Sequence, residues 1–205
     1  MMQLLYQTHS PYARKVLVLA HETGLLPRLD VVHQETSPTR RNDAVYRLNP
    51  LGKVPVLILD DGTALFDSAV ICDYLDSLHD GARLVPAQGP ERWQALRLAA
   101  LAGGISDAGI LLRWETERRP PALRYPALAE GHAGKLREAY AFLEDSAALE
   151  GPTTIGHIAL ATALDWIVFR GLPGFDRHER LRDWYRSFIA RPSMQATAYT
   201  GRTHD

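Results

Sequence analysis

The first third of the chain alternates between short unbroken apolar runs and stretches where apolar residues recur at spacings of three and four. Residues 3–6 read as a short buried strand. Ser10-Pro11 then has the form of a helix start, with serine as N-cap and proline at the first helical position, where its missing N–H is of no consequence. Ala13, Val16, Leu17 and Ala20 follow on one helical face, and Gly24 supplies the stop. Residues 29–32 predict a second strand, and residues 41–48 a weak helix ending before Asn49-Pro50. A β-rich run over 54–59, a turn at Asp60-Asp61-Gly62 and a returning run over 64–66 predict a hairpin. Ser68 is expected to cap a third helix whose buried face is Ile71, Cys72, Leu75 and Leu78. The order β-α-β-α-β-β-α predicts a small mixed sheet covered by helices.

Residues 81–90 carry two glycines and two prolines and read as a linker, and every later apolar pattern is helical. Residues 93–113 form one long amphipathic run with Ala99, Ala100, Ala102, Gly103 and Gly104 inside it. Leu136, Ala139, Tyr140 and Leu143 mark a second helix, and Ile158, Ala159, Thr162 and Trp166 a third. Leu181, Trp184, Tyr185 and Phe188 mark a fourth, ended by Arg191-Pro192. Two domains are therefore expected, an α/β domain over 1–80 and an all-helical domain over 90–205.

Composition adds little to this picture but removes some functions from it. The 205 residues are 46% hydrophobic and 23% charged, which suits a globular chain with a real core. A net charge of -1 gives no global reason to expect nucleic acid or an anionic membrane as partner. Cys72 is the sole cysteine, so neither an internal disulfide nor a CxxC pair exists. That fits a reducing compartment and disfavours a thiol-disulfide reductase. The apolar run over 16–20 is too short for a signal core, and no stretch approaches the roughly 20 apolar residues of a membrane helix. A cytoplasmic location is the expectation. His132, His178 and His204 lack metal-ligand spacing, so no metal is expected.

Three features of the first domain suit an extended acidic peptide with a thiol. A helix N-terminus at Ser10 offers unpaired N–H groups and partial positive charge, and the hydroxyl can donate to a thiolate. Pro55 opens a strand, where it can leave the Val54 backbone free to pair with a bound peptide. Ser68 and the next helix start suit a carboxylate, while Asp67 can hold an ammonium group. Taken singly, these residues also read as two capping serines and a strand-start proline.

The strings SPYARKV (10–16), NPLGKVPVL (49–57) and LFDSAVICDYL (65–75) resemble three successive signature segments of the bacterial glutathione S-transferases. Their spacing, the linker and the helical half are similar too, so the resemblance covers nearly the whole chain. It implies a thioredoxin-like first domain, a cis Val54-Pro55 bond, and glutathione as the bound peptide and co-substrate. Ser10 would face the thiol, the Val54 backbone the cysteinyl part, and Asp67 with Ser68 the γ-glutamyl end. Lys53 matches a position that approaches the glycine carboxylate in some related classes. The resemblance also implies a symmetric homodimer, which the small residues from 99 to 104 would permit.

Other points stay open at the level of sequence. Tyr6, or a backbone N–H, is an alternative to Ser10 as the thiol-activating group, and Thr8 and His9 lie in the same turn. The electrophile site is expected between the domains, with Tyr12, Arg113 and Trp114 as its candidates. His157 occupies the place where the family often has the aspartate of a capping box, Thr154 being the cap. A structural role is expected for it, with a weaker helix start, because a carboxylate is the usual acceptor there. The leading reading is an enzyme that activates glutathione for attack on a small electrophile or peroxide. The alternative is a glutathione-binding regulatory or protein-interaction module with little turnover.

Overall fold

The structure, a computed structural model, describes residues 1–201. The chain forms two compact units, Met1–Ala87 together with Pro192–Asp205, and Gln88–Arg191. His204, one of the scattered histidines, lies outside the described residues.

In the first unit, β1 (Met2–Tyr6), α1 (Pro11–Glu22) and β2 (Leu29–His33) form a parallel crossover unit. The short helix α2 (Asp43–Tyr46) precedes β3 (Val56–Ile58), β4 (Ala64–Leu65) and α3 (Ser68–Asp76). The sheet order is β2-β1-β3-β4, with β3 antiparallel to both β1 and β4. Leu5 and Val56 form one cluster with Val54 and with Val45 of α2. Leu4 and Leu57, one position along, point to the opposite face by the alternation of a strand and are fully buried. This is a thioredoxin-like arrangement of a mixed four-stranded sheet with helices.

Local chemistry explains where the elements end. Ser10 caps α1 through the Ala13 amide, Pro11 sits at the first position, and Gly24 follows the helix at φ +70°. The helix expected over 41–48 shrinks to one turn, capped by Asn42. The strand expected over 54–59 begins only at Val56, since Pro55 cannot join the ladder. Asp67, not Ser68, caps α3, its carboxylate accepting from the Ala69 amide at 2.9 Å, and Ser68 becomes the first helical residue.

The expected linker is partly ordered by one buried carboxylate. Asp76, with a fully buried side chain, accepts from Arg83 Nε (2.8 Å), the Leu84 amide (2.9 Å), the Val85 amide (2.9 Å) and His79 Nε2 (3.1 Å).

The second unit contains α4 (Gly89–Arg113), a π-helical turn over Trp114–Arg118, α5 (Pro126–Asp145), α6 (Ile155–Phe169) and α7 (Glu179–Ile189). Its core helix is more apolar than the expected amphipathic run. Gly89–Arg118 carries an 18-residue window of mean hydropathy 1.5, long and apolar enough by composition to cross a membrane. Here it lies against α5 and α6. Gly156 permits the close approach of α4 and α6, because a Cβ there would stand 2.7 Å from the Ala95 carbonyl oxygen.

His157 corrects one expectation. Its Nδ1 accepts from the Thr154 amide at 3.1 Å, so a neutral imidazole performs the capping-box role of a carboxylate. Burial holds its pKa below the ordinary value, although the Ala148 and Glu150 carbonyls pull the other way. That favours the neutral form the cap requires.

Pro192 does more than end α7. It opens α8 (Pro192–Ala196), and the stretch from there onward belongs to the first unit.

Candidate active site

The strand registers decide where the candidate residues fall. Leu5 pairs with Val56 in antiparallel sense, so the residues after β1 and those before β3 lie at one end of the sheet. Leu65 pairs with Leu57, which brings the residues after β4 to that same end. The turn with Ser10, the Lys53-Val54-Pro55 segment and Asp67-Ser68 therefore gather at a single sheet end, with the N-termini of α1 and α3.

Ser10 is half-buried, and its Oγ accepts from the Ala13 amide at 3.2 Å. A hydroxyl has a donor as well as two acceptor sites, so capping the helix leaves its O–H available to an anion. The N-terminus of a twelve-residue helix adds partial positive charge at the same point. Tyr6, at the end of β1, packs edge-on against His33 with ring centroids 5.7 Å apart.

The Val54–Pro55 bond is cis, and the Val54 main chain precedes the ladder that starts at Val56. Lys53 is exposed, whereas Val54 and Pro55 are buried. Ser68 is buried at the first position of α3 while Asp67 is exposed beside it, one carboxylate oxygen already serving the cap.

The residues that shape this loop were absent from the sequence candidates. Buried Asn49 donates to the Lys53 carbonyl at 2.9 Å and accepts from the Leu51 amide at 3.0 Å. Gly52 has φ +61°, and a Cβ on it would stand 2.1 Å from Cε2 of Tyr46. Its carbonyl accepts from Thr36 Oγ1 at 2.9 Å. The signal was present in Asn49-Pro50-Leu51-Gly52, an asparagine-led turn with a glycine where left-handed backbone is needed.

A profile described as glutathione S-transferase, N-terminal domain, matches residues 9–78. A solved structure of a glutathione transferase family member from Pseudomonas fluorescens Pf-5, with bound glutathione, is 42% identical, with a TM-score of 0.95. That likeness covers 98% of this chain and 100% of the other. The chain belongs to the glutathione transferase family.

Two further relatives extend the comparison. A glutathione S-transferase from Methylobacillus flagellatus KT, solved with GSH bound, is 31% identical with a TM-score of 0.84, covering 98% of this chain and 100% of that one. The uncharacterized GST-like protein YibF of Escherichia coli K12 is 29% identical over 179 residues, 85% of this chain and 86% of its own.

The remaining candidates divide between the units. Tyr12 is half-buried on the first turn of α1. Arg113 ends α4, buried, with its Nε donating to Glu117 at 2.9 Å, and half-buried Trp114 opens the π turn. Cys72 is fully buried in α3, and that burial pushes its thiol up to about 12 against the pull of Lys15. It is a core side chain at ordinary pH.

Proposed function

We propose that this protein binds glutathione at the sheet end bearing Ser10, Val54, Asp67 and Ser68, and activates its thiol for attack on a small electrophile or peroxide. The observation that carries the reading is the glutathione-bound relative, 42% identical over 98% of this chain. In this reading Ser68 and the N-terminus of α3 take the γ-glutamyl carboxylate, and Asp67 takes its ammonium group. The Val54 main chain pairs with the cysteinyl residue, Lys53 meets the glycine carboxylate, and Pro55 keeps the segment out of the sheet ladder.

Ser10 donates its O–H to the sulfur and stabilises the thiolate, while the α1 dipole contributes in the same direction. One charge-assisted hydrogen bond stabilises by about 1.5–3 kcal/mol, or roughly one to two pKa units at the thiol. Catalysis then consists of supplying thiolate near neutral pH and holding it beside the second substrate. Tyr12, Arg113 and Trp114 are assigned to the electrophile side. The reading includes a cytoplasmic homodimer, which the buried solitary cysteine and the small residues of α4 support.

Isothermal titration with glutathione, run beside a thiolate absorbance titration of the complex, tests the assignment. Asp67→Ala and Ser68→Ala are expected to weaken binding. Ser10→Ala keeps affinity nearly intact while raising the bound thiol pKa by roughly one to two units. Unchanged affinity in both folded α3 variants would reject the site. An unchanged thiol pKa in Ser10→Ala would move activation to Tyr6 or to a backbone N–H.

A further inference from the structure

The stretch that follows α7 runs along α1 in the reverse direction. Ser193 hydrogen-bonds Glu22 at the C-terminal end of α1. The Met194 carbonyl accepts from Arg14 Nη2 at 3.0 Å, and Thr197 Oγ1 from Arg14 Nε at 3.3 Å. The Arg14 guanidinium also lies over the Tyr199 ring, 4.2 Å from its centroid. Finally the Thr200 carbonyl lies 2.6 Å from His9 Nε2. A carbonyl oxygen only accepts, so His9 Nε2 carries the hydrogen and donates.

The order 193, 194, 197, 200 against 22, 14, 14, 9 describes a strap laid antiparallel on the helix. Two of its holds, at Arg14 and at His9, bracket Ser10. Arg14 is one turn further along and buried, with its amide bonded to the Ser10 carbonyl at 3.0 Å. His9 immediately precedes Ser10, in a turn closed by the Ser10 amide on the Gln7 carbonyl at 3.0 Å.

We propose that His9 is a positioning residue for Ser10, held by the Thr200 carbonyl at the end of a strap that Arg14 anchors to α1. The His9 side chain does not touch the sulfur. It fixes the turn that sets the direction of the Ser10 Cα–Cβ bond, and so the aim of the hydroxyl. Small displacements matter at such a position, since a misplacement of about 1 Å can lower a rate by roughly 100-fold.

This inference rests on the proposed role of Ser10, and its test separates the two. The probes are glutathione for binding and thiolate absorbance, and 1-chloro-2,4-dinitrobenzene for turnover, each measured on the full chain and its variants. His9→Ala is expected to raise the bound thiol pKa and to lower kcat by roughly tenfold or more, with KM for glutathione within about twofold. His9→Gln, which offers a donor at a similar reach, restores most of the loss. A chain ending at Tyr199 lacks the acceptor carbonyl and reproduces the His9→Ala phenotype. Combining the two changes adds little, as expected of two partners in one interaction.

If His9→Ala fails to fold, His9→Gln against the shortened chain carries the same comparison. An unchanged thiol pKa in the folded His9→Ala variant, or fully additive losses in the double variant, would overturn the proposal. A Ser10→Ala effect without any His9 effect rejects the strap alone. A wild-type protein that does not bind glutathione rejects both readings.

Discussion

Removing the Asp76 carboxylate should loosen the first unit while leaving its surface chemistry unchanged. In Asp76→Ala, the Leu84 and Val85 amides lose their acceptor, and His79 and Arg83 lose a partner. A buried donor left unpaired costs about 1–3 kcal/mol. Val85 is buried, Leu84 is half-buried, and the Arg83 side chain is 38% exposed and can turn to water. A total of about 3–5 kcal/mol follows, in the range found when one partner of a buried charged network is removed.

Cys72 supplies the assay, because it lies one helical turn before Asp76, is fully buried and is the chain's single thiol. Ellman's reagent at pH 8 reacts with it only when α3 opens, and then at the rate of an ordinary thiol with pKa about 8.5. Where reclosing is fast, labelling follows the open population, at tenfold per roughly 1.4 kcal/mol. The variant should therefore label about two orders of magnitude faster than wild type or more. Asp73→Ala is the control, its side chain being 51% exposed and 4.0 Å from Arg83, and it should change little. A labelling rate within about threefold of wild type in Asp76→Ala, at roughly 1.4 kcal/mol per tenfold, would refute the reasoning.

The same carboxylate sets a pH dependence. Burial alone would raise its pKa, but the Arg83 donor, the Val85 and Leu84 amides and His79 together hold it below the ordinary range. As pH falls, the unfolded chain takes up the proton first. The stabilisation is complete above about pH 5 and is lost progressively below about pH 4, so the gap between wild type and Asp76→Ala should narrow in acid.

Further outcomes concern other parts of the molecule. His157, its pKa lowered by burial, binds its proton later than the unfolded chain does. Stability of the helical unit should therefore fall as pH drops below about 6.5, and His157→Asp should flatten that slope. Guanidinium titrations at pH 7.5 and 5.5 read it through Trp93, Trp114, Trp166 and Trp184, all in Gln88–Arg191, and an absence of slope in wild type refutes it. Gly52→Ala forces a side chain into left-handed backbone and against Tyr46, so thermal denaturation should show a loss of at least about 1–2 kcal/mol, and titration a weaker glutathione site. Sedimentation should give a mass near twice 22.9 kDa at micromolar concentration, and a monomer alone would reject the dimer.

Much of the fold was readable because its signals are local. Ser10-Pro11, Gly24 and the Asp60-Asp61-Gly62 turn announce themselves by residue type. The cap of α3 was misread by one residue because Asp67 and Ser68 are both good caps, and only the backbone, extended at Asp67, decides between them. The strength of the His157 cap is not legible in sequence, because an imidazole accepts only when neutral with a bare Nδ1; burial favours the neutral form, and the Thr154 amide donating to Nδ1 requires that tautomer. The strap was out of reach in principle. His9 and Thr200 are 191 positions apart, and neither carries a periodic or turn signal that points to the other.

That strap bears on how the protein is made. The first unit is split in sequence, its last pieces following the Gln88–Arg191 unit. Ribosomes add about 5–20 residues per second, so roughly 5–20 s pass between the emergence of the two pieces. During that interval the α1 surface that Arg14 uses to hold Met194 and Thr197 stands without its cover. The nascent chain therefore carries an unfinished N-terminal unit until Met194 and Thr197 have emerged. A fusion partner appended close behind Thr200 would also meet a segment already committed to α1.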